Sequence, residues 1–105
     1  MTRYLAHAVI HDGKIYRNSI VGIDNGVLSI ERFEREVHST IFVSGVIIVA
    51  AENKIMLSDR QQLNNIFKKE SLIETGLKRV MRYLERRDIY AVDKEDTPLL
   101  VIIER

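Results

Sequence analysis

Residues 9–49 read VIHDGKIYRNSIVGIDNGVLSIERFEREVHSTIFVSGVIIV, and two turn dipeptides divide this stretch into segments rich in β-branched residues. Asp12-Gly13 and Asn25-Gly26 each suit the positive φ angles that a two-residue hairpin turn requires. Both dipeptides lie between segments of strand-like composition, which is the strongest short-range signal of a β-hairpin. The stretch therefore predicts two consecutive hairpins, and the rest of the chain is expected to build on their sheet.

The strands beside these turns are predicted from the spacing of their apolar residues. Residues 3–11 form the first strand, and because side chains alternate along a strand, one face is the better candidate for the core: Tyr4, Ala6, Ala8 and Ile10. Residues 14–24 form the second strand, with a bulge or an edge position near residues 18–19, where the alternation fails. Residues 31–38 allow two readings, a continued strand with Phe33 inward or an exposed excursion.

Residues 40–50 return to β-branched composition and complete the predicted sheet. Ser44-Gly45 interrupts them with a turn or a bulge, and residues 46–49 then form a strand that is buried on both sides. The short connections predict a mainly antiparallel meander of four or five strands. A parallel pair would need a crossover longer than any loop in this part of the chain.

The apolar periodicity changes to that of a helix after residue 57. Ser58 and Gln61 have the spacing of a capping box, in which the two side chains satisfy backbone N–H groups at a helix start. Three apolar residues then recur at helical spacing: Leu63, Ile66 and Phe67. The pattern predicts a first helix over residues 59–70.

A second helix is predicted to follow at once and to run to about residue 87. Ser71 and Glu74 repeat the capping box, and Thr75 is an alternative cap for a helix that starts later. Apolar residues keep the helical spacing to the end of this segment: Ile73, Leu77, Val80, Met81 and Leu84. Gly76 lies inside the helix, where glycine costs about 1 kcal/mol relative to alanine, so it indicates a break or a close packing contact.

A closing strand is predicted after Thr97-Pro98, from the apolar run at residues 99–103. A proline is acceptable as a strand's first residue because no central ladder bond is lost there. The fold class is thus α+β, a mainly antiparallel, meander-like or sandwich-like sheet with two C-terminal helices and a final strand. Residues 1–105 form a single domain, with a β-rich part (1–57), the helices (58–88) and the closing strand (97–105).

The amino-acid composition restricts the classes of protein to which the chain can belong. The chain has 105 residues, of which 46% are hydrophobic and 30% charged, as expected of one soluble globular domain. The net charge of +1 gives no general attraction to nucleic acid or an anionic membrane. Without cysteine there is no disulfide framework, thiol nucleophile or thiolate zinc site.

The N-terminal residues do not resemble a signal peptide, and the longest apolar run, residues 46–51, is too short to span a membrane. We expect a cytoplasmic protein without a membrane partner.

The sequence predicts neither catalysis nor a cofactor. No serine lies in a Gly-x-Ser-x-Gly motif, and the glycines build no phosphate loop or dinucleotide fingerprint. His7 and His11 would lie roughly 13 Å apart on a strand, too far to bind one metal ion together. Whether His38 approaches either of them across the sheet is left open. A metal-dependent hydrolase remnant is the least favoured hypothesis, and no catalytic, cofactor or metal residue is assigned.

A basic surface is predicted on the second helix. Residues 68–87 contain seven basic and three acidic residues, whereas residues 88–96 contain four acidic residues and one lysine. At helical spacing, four basic side chains fall opposite the apolar stripe: Lys78, Arg79, Arg82 and Arg86. We call these four residues the basic ridge. It is interpreted either as a solvated face that pairs with the following acidic segment or as a contact for the phosphates of nucleic acid.

The hairpin region resembles the small β-sandwich domain that flanks the catalytic barrel in the amidohydrolase superfamily. The resemblance lies in Asp12-Gly13, the strand at residues 18–24, the turn at residues 25–28, and residues 40–45. In that family a Pro-Gly turn and a His-x-His metal pair follow the last strand, but here Gly45 is followed by VIIVAAE. The resemblance implies a sandwich-like sheet without the barrel, and no hydrolase activity or functional residue transfers.

These observations favour a non-catalytic domain that mediates protein interaction or self-association. The expected partner is a second copy of the chain or another protein. Contact between nucleic acid and the basic ridge is the alternative.

Overall fold

The computed structural model of the chain describes residues 2–34, 40–89 and 91–104. Its strands and helices, in chain order, are β1 (Arg3–His11), β2 (Lys14–Asp24), β3 (Val27–Arg32), β4 (Thr40–Ala51), α1 (Leu57–Lys69), α2 (Ile73–Arg87) and β5 (Pro98–Glu104). The predicted α+β class, with two helices between the β-rich part and a closing strand, is confirmed. Of residues 31–38, β3 covers the first two, and residues 35–38 lie outside the described residues.

Both predicted hairpin turns are present. Asp12 and Gly13 have φ angles of 51° and 76°, and Asn25 and Gly26 have φ angles of 50° and 79°. Two successive residues with positive φ are the signature of the turn whose twist matches that of the strands it joins. The turns therefore fix the antiparallel registers of β1 with β2 and of β2 with β3.

The sheet has the strand order β3-β2-β1-β4-β5. Strand β4 pairs with β1 and runs parallel to it, whereas the other three pairs are antiparallel. The mainly antiparallel sheet is thus confirmed, but the expectation that no parallel pair forms is wrong. A parallel crossover need not be a helix, and here the chain returns from β1 to β4 by way of β2 and β3.

A β-bulge interrupts the pairing of β4 with β1. Ala6 pairs with Val43, but Ala8 pairs with Val46, so β4 advances one residue further than β1 between these pairs. The extra residue falls at the predicted Ser44-Gly45 interruption, which is a bulge within one continuous strand.

The irregularity extends into β1 and β2. Asn18 has a φ of 48° within β2, close to where the sequence predicts broken alternation. In β1, Ala6 packs on one face of the sheet and Ala8 on the other. The prediction that the even-numbered residues of β1 share one face is therefore wrong, because it assumed a regular strand.

Two apolar cores lie on opposite faces of the sheet. The helix-side core consists of Ala8, Ile10, Val46, Ile48, Leu63, Phe67, Leu77, Val80, Leu84, Ile89, Val101 and Ile103. The core on the other face consists of Ala6, Val9, Val21, Val43, Ile47 and Val49. Partly buried residues that include Tyr16, Leu28 and Val92 pack against this second core. Strand β4 contributes alternate residues to both cores, as the prediction of burial on both sides requires.

The helices begin differently from the prediction. Helix α1 starts at Leu57, and the Asp59 carboxylate accepts a hydrogen bond from the Met56 N–H at 2.9 Å. The predicted cap at Ser58 is wrong, because Met56 is the N-cap residue and Ser58 lies inside the first turn, from which the Asp59 carboxylate reaches back to the N-cap N–H. Helix α2 starts at Ile73 after Leu72, without a side-chain cap, so neither Ser71 nor Thr75 has the predicted role.

Gly76 permits a close approach of the two helices. A Cβ atom at this position would lie 2.8 Å from Cδ1 of Phe67, which is fully buried in the helix-side core. Helix α2 continues through Gly76 without interruption. Of the two predicted alternatives, the close packing contact is correct and the break is wrong.

Candidate functional site

The basic ridge lies on the solvent side of α2. The helix buries Gly76, Leu77, Val80 and Leu84. Each residue of the basic ridge is exposed: Lys78, Arg79, Arg82 and Arg86. The structure thus brings together the four residues that the helical spacing singles out.

Three members of the ridge line a groove at the α2 surface. Arg79, Arg82 and Arg86 share this groove of about 390 Å³ with Ile66 of α1 and Glu85. Lys78 does not line it. The groove therefore presents three guanidinium groups, together with one carboxylate that reduces their net charge.

Local pairing accounts for part of the basic charge. Arg79 forms an ion pair with Glu70. Four basic residues lie in the last turns of the two helices, where cations complement the helix dipole: Lys68, Lys69, Arg86 and Arg87. In the described part of the chain, Lys78, Arg82 and Arg86 form no ion pair. The ridge thus retains cationic groups that can meet an anion.

The acidic segment after α2 does not pair with the ridge. Lys54 Nζ lies 3.4 Å from Oδ2 of Asp93 and 3.4 Å from Oδ2 of Asp96. Asp96 Oδ2 also accepts a hydrogen bond from the Asp93 N–H at 2.9 Å. The predicted pairing of this segment with the basic ridge is therefore wrong, because the segment turns back toward the end of β4.

Strand β5 forms one edge of the sheet, and one contact at its start fixes its hydrogen-bonding pattern. The Glu52 N–H donates to the Thr97 carbonyl at 2.9 Å, directly beyond the pair of Ala51 with Pro98. Glu52 and Thr97 are therefore a hydrogen-bonded pair of the antiparallel ladder. Such pairs alternate with non-hydrogen-bonded ones, so the direction of each backbone group along β5 follows.

The backbone groups of β5 divide into two sets by this alternation. The set that faces β4 is Leu99, Val101 and Ile103. The set that faces away from the sheet is Leu100, Ile102 and Glu104. Pro98 also faces outward, where its missing N–H breaks no bond to β4. Among the residues described, no strand or backbone donor pairs with this outer edge.

The side chains of β5 leave this edge without charge over most of its length. Residues 98–103 are all apolar, whereas the opposite edge strand, β3, ends in Glu31 and Arg32. Charged side chains are a common means by which edge strands avoid pairing. Ile102 is 39% exposed. Beside the strand is a groove of about 240 Å³ that α1 lines with Arg60, Gln61 and Asn64.

A buried carboxylate joins the two helices. Asp59 is only 1% exposed. Its Oδ1 accepts hydrogen bonds from the Tyr83 hydroxyl at 2.7 Å and from Arg87 Nε at 2.9 Å. Together with the Met56 N–H on Oδ2, these donors tie the first turn of α1 to the end of α2.

Ionisation of this cluster follows from its hydrogen bonds. The hydrogen bond from Arg87 lowers the pKa of Asp59 to about 2; burial acts in the opposite direction, and the Met56 N–H and the Tyr83 hydroxyl add to the lowering. Burial and the adjacent carboxylate raise the pKa of Tyr83. Asp59 is thus a carboxylate at neutral pH, with both oxygens already bonded, and its role is structural.

The histidines do not form a metal site among the described residues. The His7 ring is exposed and meets the edge of the Phe42 ring, with 5.5 Å between the ring centroids. His11 is the last residue of β1, four positions after His7, and is in register with Lys14. His38 lies outside the described residues. Within residues 2–34, 40–89 and 91–104, no group of three or more potential metal ligands occurs.

Comparison with protein-family models, curated proteins and solved structures finds no match for this chain. The resemblance to the flanking domain of the amidohydrolase superfamily therefore remains a prediction. None of the described helices is long and apolar enough to cross a membrane.

Proposed function

We propose that this protein is a non-catalytic interaction domain that binds an extended polypeptide segment along the outer edge of β5. One observation carries the proposal. The backbone groups of Leu100, Ile102 and Glu104 point outward from an edge that is uncharged over residues 98–103. Strand addition uses such an edge, because main-chain hydrogen bonds supply affinity and alternate side chains supply specificity.

A peptide that corresponds to β5 tests the proposal directly. Labelled TPLLVIIE, residues 97–104, is expected to bind the protein, and Ile102→Pro is expected to weaken this binding at least about tenfold. Proline removes the outward N–H of residue 102 and leaves the bonds between β4 and β5 intact, because residue 102 does not donate to β4. Fluorescence anisotropy measures the affinity.

Ile102→Val is the matched control, since valine keeps the N–H and the strand preference. It is expected to bind the peptide within about threefold of the unmodified protein. Circular dichroism checks that the proline variant is folded. Equal affinity of the Ile102→Pro and Ile102→Val proteins for the peptide would contradict strand addition at this edge.

Nucleic-acid contact is the second candidate function. It is supported by three exposed cationic side chains on one face of α2: Lys78, Arg82 and Arg86. Within the described ranges, none of the three forms an ion pair. Their spacing along one exposed face suits successive phosphates of a backbone. Arg79 contributes less, because it already pairs with Glu70.

Charge reversal tests this candidate. The unmodified protein is expected to retard DNA or RNA at low salt, with an affinity that falls with salt as about three or four phosphate contacts require. Arg82→Glu combined with Arg86→Glu is expected to abolish the retardation, whereas Lys14→Glu at the start of β2 is expected to leave it unchanged. No retardation of any nucleic acid at low salt by the unmodified protein would end this proposal.

A metal-dependent hydrolase remnant is the third and weakest alternative. It rests on His7, His11 and His38 alone. Metal analysis of the purified protein tests it, and less than one equivalent of bound transition metal would remove it.

A further inference from the structure

We propose that the segment that binds β5 is β5 of a second copy, paired antiparallel about a two-fold axis at Ile102. Two five-stranded sheets would thereby join edge to edge into one continuous sheet. This inference rests on the proposed function and names its partner.

The outward backbone groups determine where the two-fold axis can lie. In an antiparallel pair, each outward residue must face an outward residue of the partner. With the axis at Ile102, that residue faces its own copy, and Leu100 faces Glu104 of the partner subunit. All three outward residues then take part, and the ladder has on the order of six hydrogen bonds.

Pro98 argues against the neighbouring registers. An axis at Val101 would place Pro98 opposite Glu104 of the partner subunit, and an axis at Leu100 would place it opposite Ile102 of the partner subunit. Proline has no N–H to donate there, and its ring would point at the partner strand. Within β5 as described, Pro98–Glu104, an axis at Ile103 would give Leu100 no partner residue. Among the described residues of β5, the register at Ile102 thus gives the longest ladder that excludes Pro98.

The charge pattern suits a second copy as the occupant. Residues 98–103 are apolar, so pairing the strand with itself brings no like charges together there. The carboxylate of Glu104 faces Leu100 of the partner subunit and not its own copy. Strand β3 is a poorer edge for self-pairing, because two of its six residues are charged.

The position of α1 is compatible with this pairing. A two-fold axis that relates antiparallel strands of one sheet is perpendicular to the sheet, so both copies of α1 lie on the same face. Arg60, Gln61 and Asn64 line the groove between α1 and β5 and would flank the joined strands. Ile102 lies on the other face, as its neighbour Val101 belongs to the helix-side core. The two Ile102 side chains would therefore meet away from the helices.

Self-pairing of one residue permits a test by charge complementation. Ile102→Lys and Ile102→Glu are each expected to weaken self-association at least about tenfold, because like charges face each other across the axis. An equimolar mixture of the two variants is expected to form heterodimers, because the introduced lysine of one chain then faces the introduced glutamate of the other. Sedimentation equilibrium of the full chain, from about 1 µM to about 1 mM, measures the masses.

Matched variants on the other edge are the control. Val27→Lys and Val27→Glu change an exposed residue of β3 and are expected to leave dimer formation unchanged. A mixture of the Ile102 variants that stays monomeric would overturn the two-fold arrangement. A monomeric full chain that still binds the β5 peptide would overturn this inference and leave the proposed function standing, whereas failure of both would remove both.

The absence of native cysteine allows a second readout of the register. Hydrogen-bonded antiparallel partners have Cα atoms about 5.5 Å apart, within the range that a disulfide spans. Ile102→Cys is expected to form a covalent dimer on mild oxidation. Leu100→Cys and Glu104→Cys are expected to cross-link with each other when mixed. Preferential self-linking of the Leu100→Cys protein would overturn the register at Ile102.

Discussion

Gly45→Ala is expected to lower the free energy of unfolding by about 3 kcal/mol or more. A Cβ atom on Gly45 would lie 1.9 Å from the carbonyl oxygen of Ile103 and 2.9 Å from its carbonyl carbon. Both are backbone atoms, which cannot rotate away as the end of a flexible side chain can. Strand β5 would have to move outward, and this would pull Ile103 out of the helix-side core.

Urea denaturation followed by circular dichroism measures this effect. Ser44→Ala is the matched control, because Ser44 is the exposed neighbour of Gly45 in the same bulge and its change is expected to stay within about 0.5 kcal/mol. A loss for Gly45→Ala no larger than that for Ser44→Ala would contradict the close approach of β5 to the bulge. Because the displaced end of β5 includes Glu104, Gly45→Ala is also expected to weaken any pairing at the outer edge.

The local parts of the fold are predictable from the sequence because their causes are local. Asp12-Gly13 and Asn25-Gly26 define hairpin turns by their own backbone preferences. The apolar spacing of residues 63–84 determines which helix face is buried, and with it the exposed position of the basic ridge. These predictions need no knowledge of distant residues.

The neighbour of β4 is not predictable in this way. Strand β4 pairs with β1, which is separated from it by a complete hairpin, and β3 stays at the edge. The local composition of the strands is equally compatible with the alternative sheet, in which β4 would lie beside β3. The irregularity beside the bulge of β4 also places Ala6 and Ala8 of β1 on opposite faces of the sheet, and nothing in the local sequence of β1 indicates it.

That β5 is an edge strand also cannot be predicted from the sequence, for a related reason. The apolar run at residues 99–103 has the composition of a central strand, so nothing in it indicates an edge. Only the pairing of Glu52 with Thr97 reveals which backbone groups point outward. Asp59 is similar, since its partners Tyr83 and Arg87 are 24 and 28 positions away. Helical spacing can place each of them on a helix but cannot bring the two helices together.

Asp59→Asn is expected to lower the free energy of unfolding by about 2 kcal/mol at pH 7 through loss of the charge. The pKa of Asp59 is lowered to about 2 in the folded protein from the ordinary value of 3.8. Each pKa unit corresponds to about 1.4 kcal/mol between the folded and unfolded states. Asp59 is almost completely buried but the Arg87 side chain is 46% exposed, so solvent screening reduces this contribution less than it does for ion pairs with both partners exposed.

The free energy of unfolding of the unmodified protein and that of Asp59→Asn differ by an amount that depends on pH. This dependence distinguishes loss of the negative charge from loss of hydrogen-bond acceptors. A carboxyl group with a lowered folded-state pKa stabilises the protein above its unfolded-state pKa, and it loses that contribution as the pH falls through the folded-state pKa. Between about pH 5 and pH 2, the difference in the free energy of unfolding between the unmodified protein and Asp59→Asn is therefore expected to shrink by about 2 kcal/mol. Urea denaturation at a series of pH values measures it.

Asp93→Asn gives the comparison that makes the measurement specific. Asp93 also pairs with a basic side chain, but its side chain is 68% exposed, so solvent screens the ion pair and Asp93→Asn is expected to lower the free energy of unfolding at pH 7 much less than Asp59→Asn does. If the difference in the free energy of unfolding for Asp59→Asn stayed constant from pH 7 to pH 2, the ionised carboxylate would not be what joins the helices. The amide would then destabilise the protein only because it cannot accept on both atoms from Arg87, Tyr83 and Met56. A difference in the free energy of unfolding that shrinks as the pH falls would instead show that the ionised Asp59 carboxylate holds α1 and α2 together.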